Sequence, residues 1–160
     1  MEIIRNGEIV QDRWQHVADD APLPEGDVIV SLTRFGAERD ALLARPGKLG
    51  VRLPPDVDLG ETFPSLAGVA LLAIEFPKYT DGRGYSTARL LRDRYDFKGE
   101  LRAVGDVLRD QLFYMRRCGI DAFELKAGKD IKGALDAFRE FSVTYQGAAD
   151  DPRPLFRRRG

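Results

Sequence analysis

Strand-like segments alternate with helix-like segments through most of the chain, and this alternation constrains the fold more than any other feature. The segment at 69–74 is entirely apolar, which is typical of a strand buried on both faces of a parallel sheet. Strands separated by helices in this way form right-handed βαβ units. The fold class is therefore predicted as α/β with a mainly parallel sheet, either an open three-layer sheet or a partial barrel. Strands are predicted at 28–32, 49–53, 69–74, 100–104 and 122–126, and helices at 37–45, 86–95, 106–118 and 130–141.

A β-hairpin is predicted at the amino terminus, because Asn6 and Gly7 stand between two β-prone runs and both residue types tolerate a positive φ. We expect three parts in the chain. Residues 1–18 hold the hairpin, packed on the main domain, and a linker rich in Pro, Asp and Gly leads to an α/β domain at 27–147. Residues 148–160, with four Arg and two Pro, are expected to be a basic, poorly ordered tail.

The chain has one Cys and one His in 160 residues. It therefore cannot form an internal disulfide, a thiolate zinc site, a His-rich metal site or an iron–sulfur cluster held by this chain alone, and no metal is expected. His16 stands beside no pattern for a triad and is expected to be structural or on the surface. There is no apolar run of about 20 residues and no signal-peptide pattern, which predicts a cytoplasmic protein.

The net charge of −1 conceals an uneven distribution. Residues 1–80 contain 8 Lys or Arg against 13 Asp or Glu, whereas residues 81–160 contain 17 against 13. The near-neutral total gives no reason to expect a nucleic acid or a membrane surface as partner. The arginine-rich second half favours oxyanions or the carboxylates of a partner, with a solvated helical surface as the alternative.

A glycine-containing loop follows the apolar segment and leads into a predicted helix, which is where parallel sheets bind ligands. Gly82 and Gly84 allow unusual backbone conformations, Ser86 or Thr87 could cap the helix, and its amino terminus favours an anion. The third Gly of a dinucleotide fingerprint and the Walker motif are both missing. The alternative is a capped turn in which Arg83 pairs with Asp81. The predicted anion or ligand site comprises Lys78, Asp81, Gly82, Arg83, Gly84, Ser86, Thr87 and Lys126.

The predicted helix at 106–118 has one apolar arc and one arginine-rich face. Cys118 falls on the apolar arc and is expected to be a core thiol. Asp106 and, before the last helix, Asp130 are expected to act as helix caps. The outer face combines an aromatic residue with arginines, which is typical of partner contacts. The predicted contact residues are Arg109, Phe113, Arg116 and Arg117.

Three stretches carry a resemblance to a known family: FPKYTDGRGYS at 76–86, ARLLR at 88–92 and GELRAVGDVLRDQ at 99–111. They resemble a bacterial family of unknown function that is commonly encoded beside assimilatory sulfite reductase. That family carries the label of an oxidoreductase involved in sulfite reduction, but it has no established catalytic residue. The resemblance therefore implies a pathway, sulfur assimilation, rather than a mechanism.

The residues argue against direct electron transfer by this chain, since it has no thiol pair, no cluster ligands and no complete dinucleotide fingerprint. We expect an accessory protein that docks on sulfite reductase or its electron donor, with any nucleotide or flavin supplied in trans. One alternative is a small-molecule enzyme or sensor that binds a sulfur oxyanion, phosphate or nucleotide at the strand ends. Another is a homo-oligomer in which the arginine-rich helices pair with the acidic half of a second copy. Enzyme activity stays open.

Overall fold

The computed structural model describes residues 1–78, 82–126 and 130–144. Its strands are β1 Glu2–Arg5, β2 Glu8–Gln11, β3 Gln15–His16, β4 Val28–Ser31, β5 Leu49–Leu53, β6 Leu71–Phe76, β7 Glu100–Gly105 and β8 Ala122–Phe123. Its α-helices are α1 Leu32–Ala44, α2 Leu59–Thr62, α3 Arg83–Asp93, α4 Leu112–Arg117 and α5 Ile131–Thr144. Short 3-10 turns at Phe63–Leu66 and Arg109–Gln111 follow α2 and precede α4.

All eight strands form one sheet in the order β2-β1-β8-β7-β6-β5-β4-β3. From β3 to β8 each strand pairs in parallel with the next one in the chain, and β1 pairs antiparallel with both β8 and β2. Right-handed crossovers between successive neighbours place their helices on the same face of the sheet. The predicted α/β class is confirmed, and the sheet is a partial barrel rather than the centre of three layers.

The amino-terminal hairpin is confirmed at the predicted turn. Asn6 has φ of 52° and Gly7 has φ of 80°, as a two-residue turn between β1 and β2 requires. The hairpin is part of the main sheet, since Ile4 pairs with Phe123 of β8. The amide of Asn6 also donates to the carbonyl of Asp121, at 2.9 Å, so the turn is held against the start of β8.

The sheet is curled because a very short link joins its two edges. β2 and β3 form opposite edges, yet only residues 12–14 connect them. The edges of a flat sheet of this size would lie about 34 Å apart at the usual strand spacing. Four Cα–Cα steps, from Gln11 to Gln15, span about 15 Å at most. Residues 12–14 therefore cross the open side of a half-barrel, and we call this link the strap.

The two faces of the half-barrel differ in what covers them. The helices pack on the convex face, where most of the core lies, with Phe35 of α1, Leu91 of α3 and Phe138 of α5 among its buried residues. The concave face has a small apolar cluster of Ile29, Leu71, Ala73 and Val104, and Trp14 of the strap packs against it. The strap thus covers a face that the helices leave open.

Two predicted helix caps are wrong. The helix expected at 106–118 starts as a 3-10 turn at Arg109–Gln111, because the amide of Asp106 donates to Phe76 O at the end of β6, at 2.6 Å. Asp106 therefore does not cap this helix. In α3 the capping position falls on Gly82, so the predicted capping by Ser86 or Thr87 is wrong, and both residues lie inside the helix.

Other local predictions hold or need a shift of a few residues. α1 starts at Leu32, five residues before the predicted start, because the Ser31 hydroxyl accepts the amide of Arg34 at 3.0 Å. Asp130 caps α5 as expected, accepting the Gly133 amide at 3.1 Å. Cys118 is a buried free thiol, also as expected. Within the described ranges, none of the helices combines the length and apolar character needed to span a bilayer.

Candidate functional site

The predicted anion-binding residues separate into two sets. Lys78, Gly82, Arg83 and Ser86 are exposed around the start of α3, close to the carboxyl end of β6. Gly84 and Thr87 face the core, and Asp81 lies outside the described residues. The exposed set is where an anion would have to bind.

Packing accounts for Gly84. A Cβ added there would lie 2.5 Å from Cε1 of the Phe76 ring, which is fully buried. The glycine therefore lets α3 approach β6 closely. Nothing in the described structure lies within 4 Å of a Cβ added at Gly82, so only one of the two glycines is needed for packing.

Lys126 lies on the neighbouring strand-end loop, but it faces a carboxylate. Its Nζ is 3.2 Å from Oδ1 of Asp106, and its side chain is 56% exposed. An anion at this loop would compete with Asp106 for the ammonium group. Lys126 therefore adds less positive charge to the strand ends than the sequence indicates.

The concave face contains a charged cluster that sequence analysis missed. Arg102 of β7 is fully buried and contacts three carboxylates. Its Nη1 and Nη2 donate to Asp12 of the strap at 2.7 and 3.0 Å. Its Nε donates to Glu100 at 2.9 Å, and Nη1 also donates to Glu124 at 2.8 Å. We call Arg102 and these three carboxylates the concave cluster.

The pKa shifts in the concave cluster show which interactions dominate. Burial lowers the pKa of the Arg102 guanidinium, but its hydrogen bonds to Asp12 and Glu124 outweigh burial and leave the pKa above its ordinary value. Burial raises the pKa of Glu124, yet hydrogen bonds from His16 and Arg102 bring it below the ordinary value. Burial raises the pKa of Glu100, and the attraction of Arg102, which lowers that pKa, is too weak to cancel the effect of burial. Glu124 is thus held in its charged form more strongly than Glu100.

His16 extends the concave cluster toward solvent. Its Nε2 lies 2.8 Å from Oε2 of Glu124, and its Nδ1 lies 3.2 Å from Nη1 of Arg52 in β5. Because a guanidinium only donates, Nδ1 must accept from Arg52, which leaves the ring proton on Nε2 to donate to Glu124. These two contacts fix the orientation of the His16 ring, and 34% of its side chain is exposed.

The concave cluster suits a structural tie better than an anion site. Next to His16, Arg52 has its Nε 3.7 Å from Oε2 of Glu75. Arg52 and Arg102 thus contact four carboxylates in all, those of Asp12, Glu75, Glu100 and Glu124. A third guanidinium, that of Arg5, has its Nη1 3.9 Å from Oε1 of Glu100. This excess of negative charge opposes sulfite, sulfate or phosphate at the concave face.

A sequence signal for the concave cluster existed. Arg52, Glu100 and Arg102 are charged residues inside predicted strands, and Glu100 and Arg102 are two positions apart, so they share one face. His16 and Asp12 could not be added to them from the sequence, because the curl of the sheet brings them together.

An exposed surface on α3 and α4 lies close to the predicted partner contact. Tyr114 and Leu90 are 44% and 41% exposed. The guanidinium carbon of Arg89 lies 5.8 Å from the centre of the Tyr114 ring, and that of Arg117 lies 6.0 Å from the Phe113 ring. We call Arg89, Tyr114 and Arg117 the arginine–tyrosine face.

Two of the four predicted contact residues, Phe113 and Arg117, contact each other in the structure. Phe113 is half-buried against the core rather than on the outside, and Arg117 lies over its ring. Arg109 is exposed in the 3-10 turn before α4. The guanidinium carbon of Arg116 lies 5.8 Å from the ring of Phe138 in α5, away from the ring that Arg117 covers. The exposure of Tyr114 is a feature that the sequence did not indicate.

Comparison with known families identifies what the chain is related to. A family model described as a bacterial protein of unknown function, DUF934, matches residues 50–156, which is more than half of the chain. The chain belongs to the DUF934 family. The DUF934 match includes the three stretches at 76–111 on which the resemblance rests and the whole arginine–tyrosine face. Asp12 and His16 precede the matched region. No curated protein matches the chain.

Proposed function

We propose that this DUF934 protein is an accessory protein of assimilatory sulfite reduction that docks on the reductase or on its electron donor. The pathway rests on the resemblance of residues 76–111 to a family encoded beside sulfite reductase. The docking role rests on the arginine–tyrosine face, of which Arg89 lies within 76–111 and Tyr114 and Arg117 follow shortly after it.

The exposure of Tyr114 is the observation that carries the docking role. Together with Leu90 and Met1, it makes up the exposed large apolar side chains of the described residues. Tyr and Arg are the residue types most enriched in binding hot spots, and here Arg89 lies over the Tyr114 ring. The rings of Tyr85 and Tyr114 are 4.9 Å apart, so part of the Tyr114 side chain is already fixed before a partner binds.

The charges of the face define the chemistry of the partner. Arg89 and Arg117 favour a surface that offers Asp or Glu around an apolar recess able to hold Tyr114. Binding to such a surface would be faster at low ionic strength and would weaken as salt screens the charges.

Deletion and complementation test the function. Cells that lack the protein should grow slowly with sulfate as sulfur source and normally with cysteine, and the wild-type gene should restore growth. The double variant Tyr114→Ala with Arg117→Glu should neither restore growth nor copurify with the reductase or its donor. Lys48→Glu, a charge reversal at an exposed residue before β5, is the matched control and should behave as wild type.

Two results would refute the proposal: normal growth on sulfate after deletion, or copurification that the double variant leaves intact. Light scattering of the isolated chain over a range of salt concentrations tests whether the protein forms a homo-oligomer. A dimer that dissociates with salt and with the double variant would make a second copy the partner of this face.

The alternative function is a small-molecule enzyme or sensor that binds a sulfur oxyanion, phosphate or nucleotide at the strand ends. The exposure of Lys78 and Arg83 near the end of β6 supports it. The packing role of Gly84 and the pairing of Lys126 with Asp106 weaken it. Docking is therefore the function that we favour.

A further inference from the structure

Three aromatic rings form a continuous series from the core to the arginine–tyrosine face. The Phe76 ring at the end of β6 is fully buried, and its centre lies 5.3 Å from that of Tyr85 in α3. The centre of the Tyr85 ring is in turn 4.9 Å from that of Tyr114 in α4, whose side chain is 44% exposed. We call Phe76, Tyr85 and Tyr114 the aromatic ladder.

Both contacts in the aromatic ladder have the geometry of stabilising ring pairs. The rings of Phe76 and Tyr85 are inclined to each other at 56°, and those of Tyr85 and Tyr114 at 57°. Tilted rings whose centres are about 4.5–7 Å apart attract each other beyond the gain from burial. The half-buried Tyr85 therefore connects the exposed Tyr114 ring to a ring inside the core.

Close packing fixes the inner end of the aromatic ladder. A Cβ added at Gly84 would lie 2.5 and 2.6 Å from Cε1 and Cζ of Phe76, so the backbone of α3 rests directly on this ring. Tyr85 follows Gly84 in α3, and the close approach at Gly84 therefore also sets the position from which the Tyr85 side chain leaves the helix. Packing of this kind holds side chains in well-defined rotamers.

Arg89 restrains Tyr114 as well. Its guanidinium carbon lies 5.8 Å from the centre of the Tyr114 ring, and hydrogen bonds to the side chains of Cys118 and Tyr114 raise the pKa of Arg89. Neither of these partners is a carboxylate, so they leave the positive charge of Arg89 uncompensated. Tyr85 and Arg89 are four residues apart on α3 and share one face of it, so Tyr114 lies against two successive turns of that helix.

We propose that Tyr85 is a positioning residue of the arginine–tyrosine face, which holds the Tyr114 ring in the orientation that a docking partner meets. This inference rests on the proposed docking function and adds a residue that the partner need not touch. An exposed aromatic side chain that is already ordered loses less conformational entropy when a partner binds. Loss of the Tyr85 ring should therefore weaken docking, although Tyr114, Arg89 and Arg117 are all still present.

Aromatic ¹³C relaxation on the isolated full chain tests the positioning without a partner. The Tyr114 ring should be ordered in the wild type and in Tyr85→Phe, which keeps the ring, and mobile in Tyr85→Leu. Tyr95→Leu is the matched control, because Tyr95 is also half-buried and its ring centre lies 4.8 Å from that of Phe63. This control should leave Tyr114 ordered. A mobile Tyr114 ring in the wild type, an ordered one in Tyr85→Leu, or equal mobility in both Leu variants would overturn the inference.

Binding of the full chain to purified sulfite reductase, and separately to its electron donor, tests the consequence for docking. Tyr85→Leu should weaken binding about tenfold, whereas Tyr85→Phe and Tyr95→Leu should bind as wild type. Wild-type affinity of Tyr85→Leu, with binding lost in Tyr114→Ala with Arg117→Glu, would refute the positioning role and leave docking intact. Wild-type affinity of that double variant, or no binding to either protein, would instead refute docking, and the relaxation measurement would still decide whether Tyr85 positions Tyr114.

Discussion

Asp12 in the strap binds Arg102 in β7 through two parallel hydrogen bonds, of 2.7 and 3.0 Å. The same carboxylate accepts the Trp14 amide at 3.2 Å, so it fixes the strap internally as well as to the sheet. Both side chains are almost or completely buried. In such a place a bidentate pair holds its geometry, whereas an exposed pair would be weakened by water and salt.

Removing the strap carboxylate should destabilise the protein strongly. In Asp12→Ala the buried Arg102 loses its bidentate partner, and breaking a buried pair on one side costs about 3 kcal/mol of unfolding free energy. Urea unfolding followed by circular dichroism measures this. Asp40→Ala is the control, because Asp40 forms an ion pair with Arg39 but is 97% exposed, and it should change stability little. Equal effects of the two variants would mean that the strap is not held by Asp12.

Glu124 should contribute a stability that is lost in acid. Its pKa in the folded protein lies below the ordinary value of 4.5, so the contribution is complete above that value and disappears as the pH falls through the lower folded pKa. Glu100 and Asp121, whose pKa values burial raises, change stability in the opposite direction. The measurement is therefore a difference: unfolding free energy of wild type minus Glu124→Gln, from pH 7 to pH 3. A difference that does not shrink in acid would contradict the assignment.

Gly84 and Gly82 should respond differently to alanine. Gly84→Ala places a Cβ against the buried Phe76 ring, and overpacking of this kind costs about 1–3 kcal/mol, more than the roughly 1 kcal/mol that Ala gains over Gly in a helix. Gly82→Ala meets open space at a negative φ of −84° and should be tolerated. Thermal unfolding of both variants decides the matter, and a Tm of Gly84→Ala equal to wild type would show that packing does not require this glycine.

Ligand binding at the strand ends has its own test. If the alternative function holds, at least one of sulfite, sulfate, adenylylated sulfate, flavin or NADPH should raise the Tm, and Arg83→Ala should abolish the rise. Lys48→Ala, at an exposed residue far along the chain from this loop, should retain it. Calorimetry with the responding compound would then give the affinity. Unchanged Tm values with all five compounds would rule out this site for them.

Local chemistry determined what could be predicted from the sequence. The apolar residues of β6 identify a buried strand, and Asn6 with Gly7 identifies a turn, since both signals lie within a few neighbouring residues. The helix starts were less predictable, because Gly84 packs on Phe76 and the Asp106 amide bonds to the same residue across the sheet. These contacts override the preferences of Ser86 and Asp106 for capping positions.

The concave cluster was not predictable for a related reason. His16 and Glu124 are far apart in the chain, and they meet only because the sheet curls. The link at 12–14 between β2 and β3 is so short that the sheet has to curl. This requirement is apparent only once the strand order is known. A single sequence gives the strands and leaves their order open, so it also leaves open which charged residues share the concave face.

The pairing of β1 with β8 has a consequence for synthesis on the ribosome. Ile4 leaves the exit tunnel before its partner Phe123, which emerges more than a hundred residues later. Until β8 is made, one edge of β1 has no partner strand. The Asp12 carboxylate likewise has no Arg102 to bind until β7 is made. The nascent chain must keep this edge from pairing elsewhere, and such long-range pairing slows folding. β8 is thus made well after β1, and it is the strand that allows β1 to find its place in the sheet.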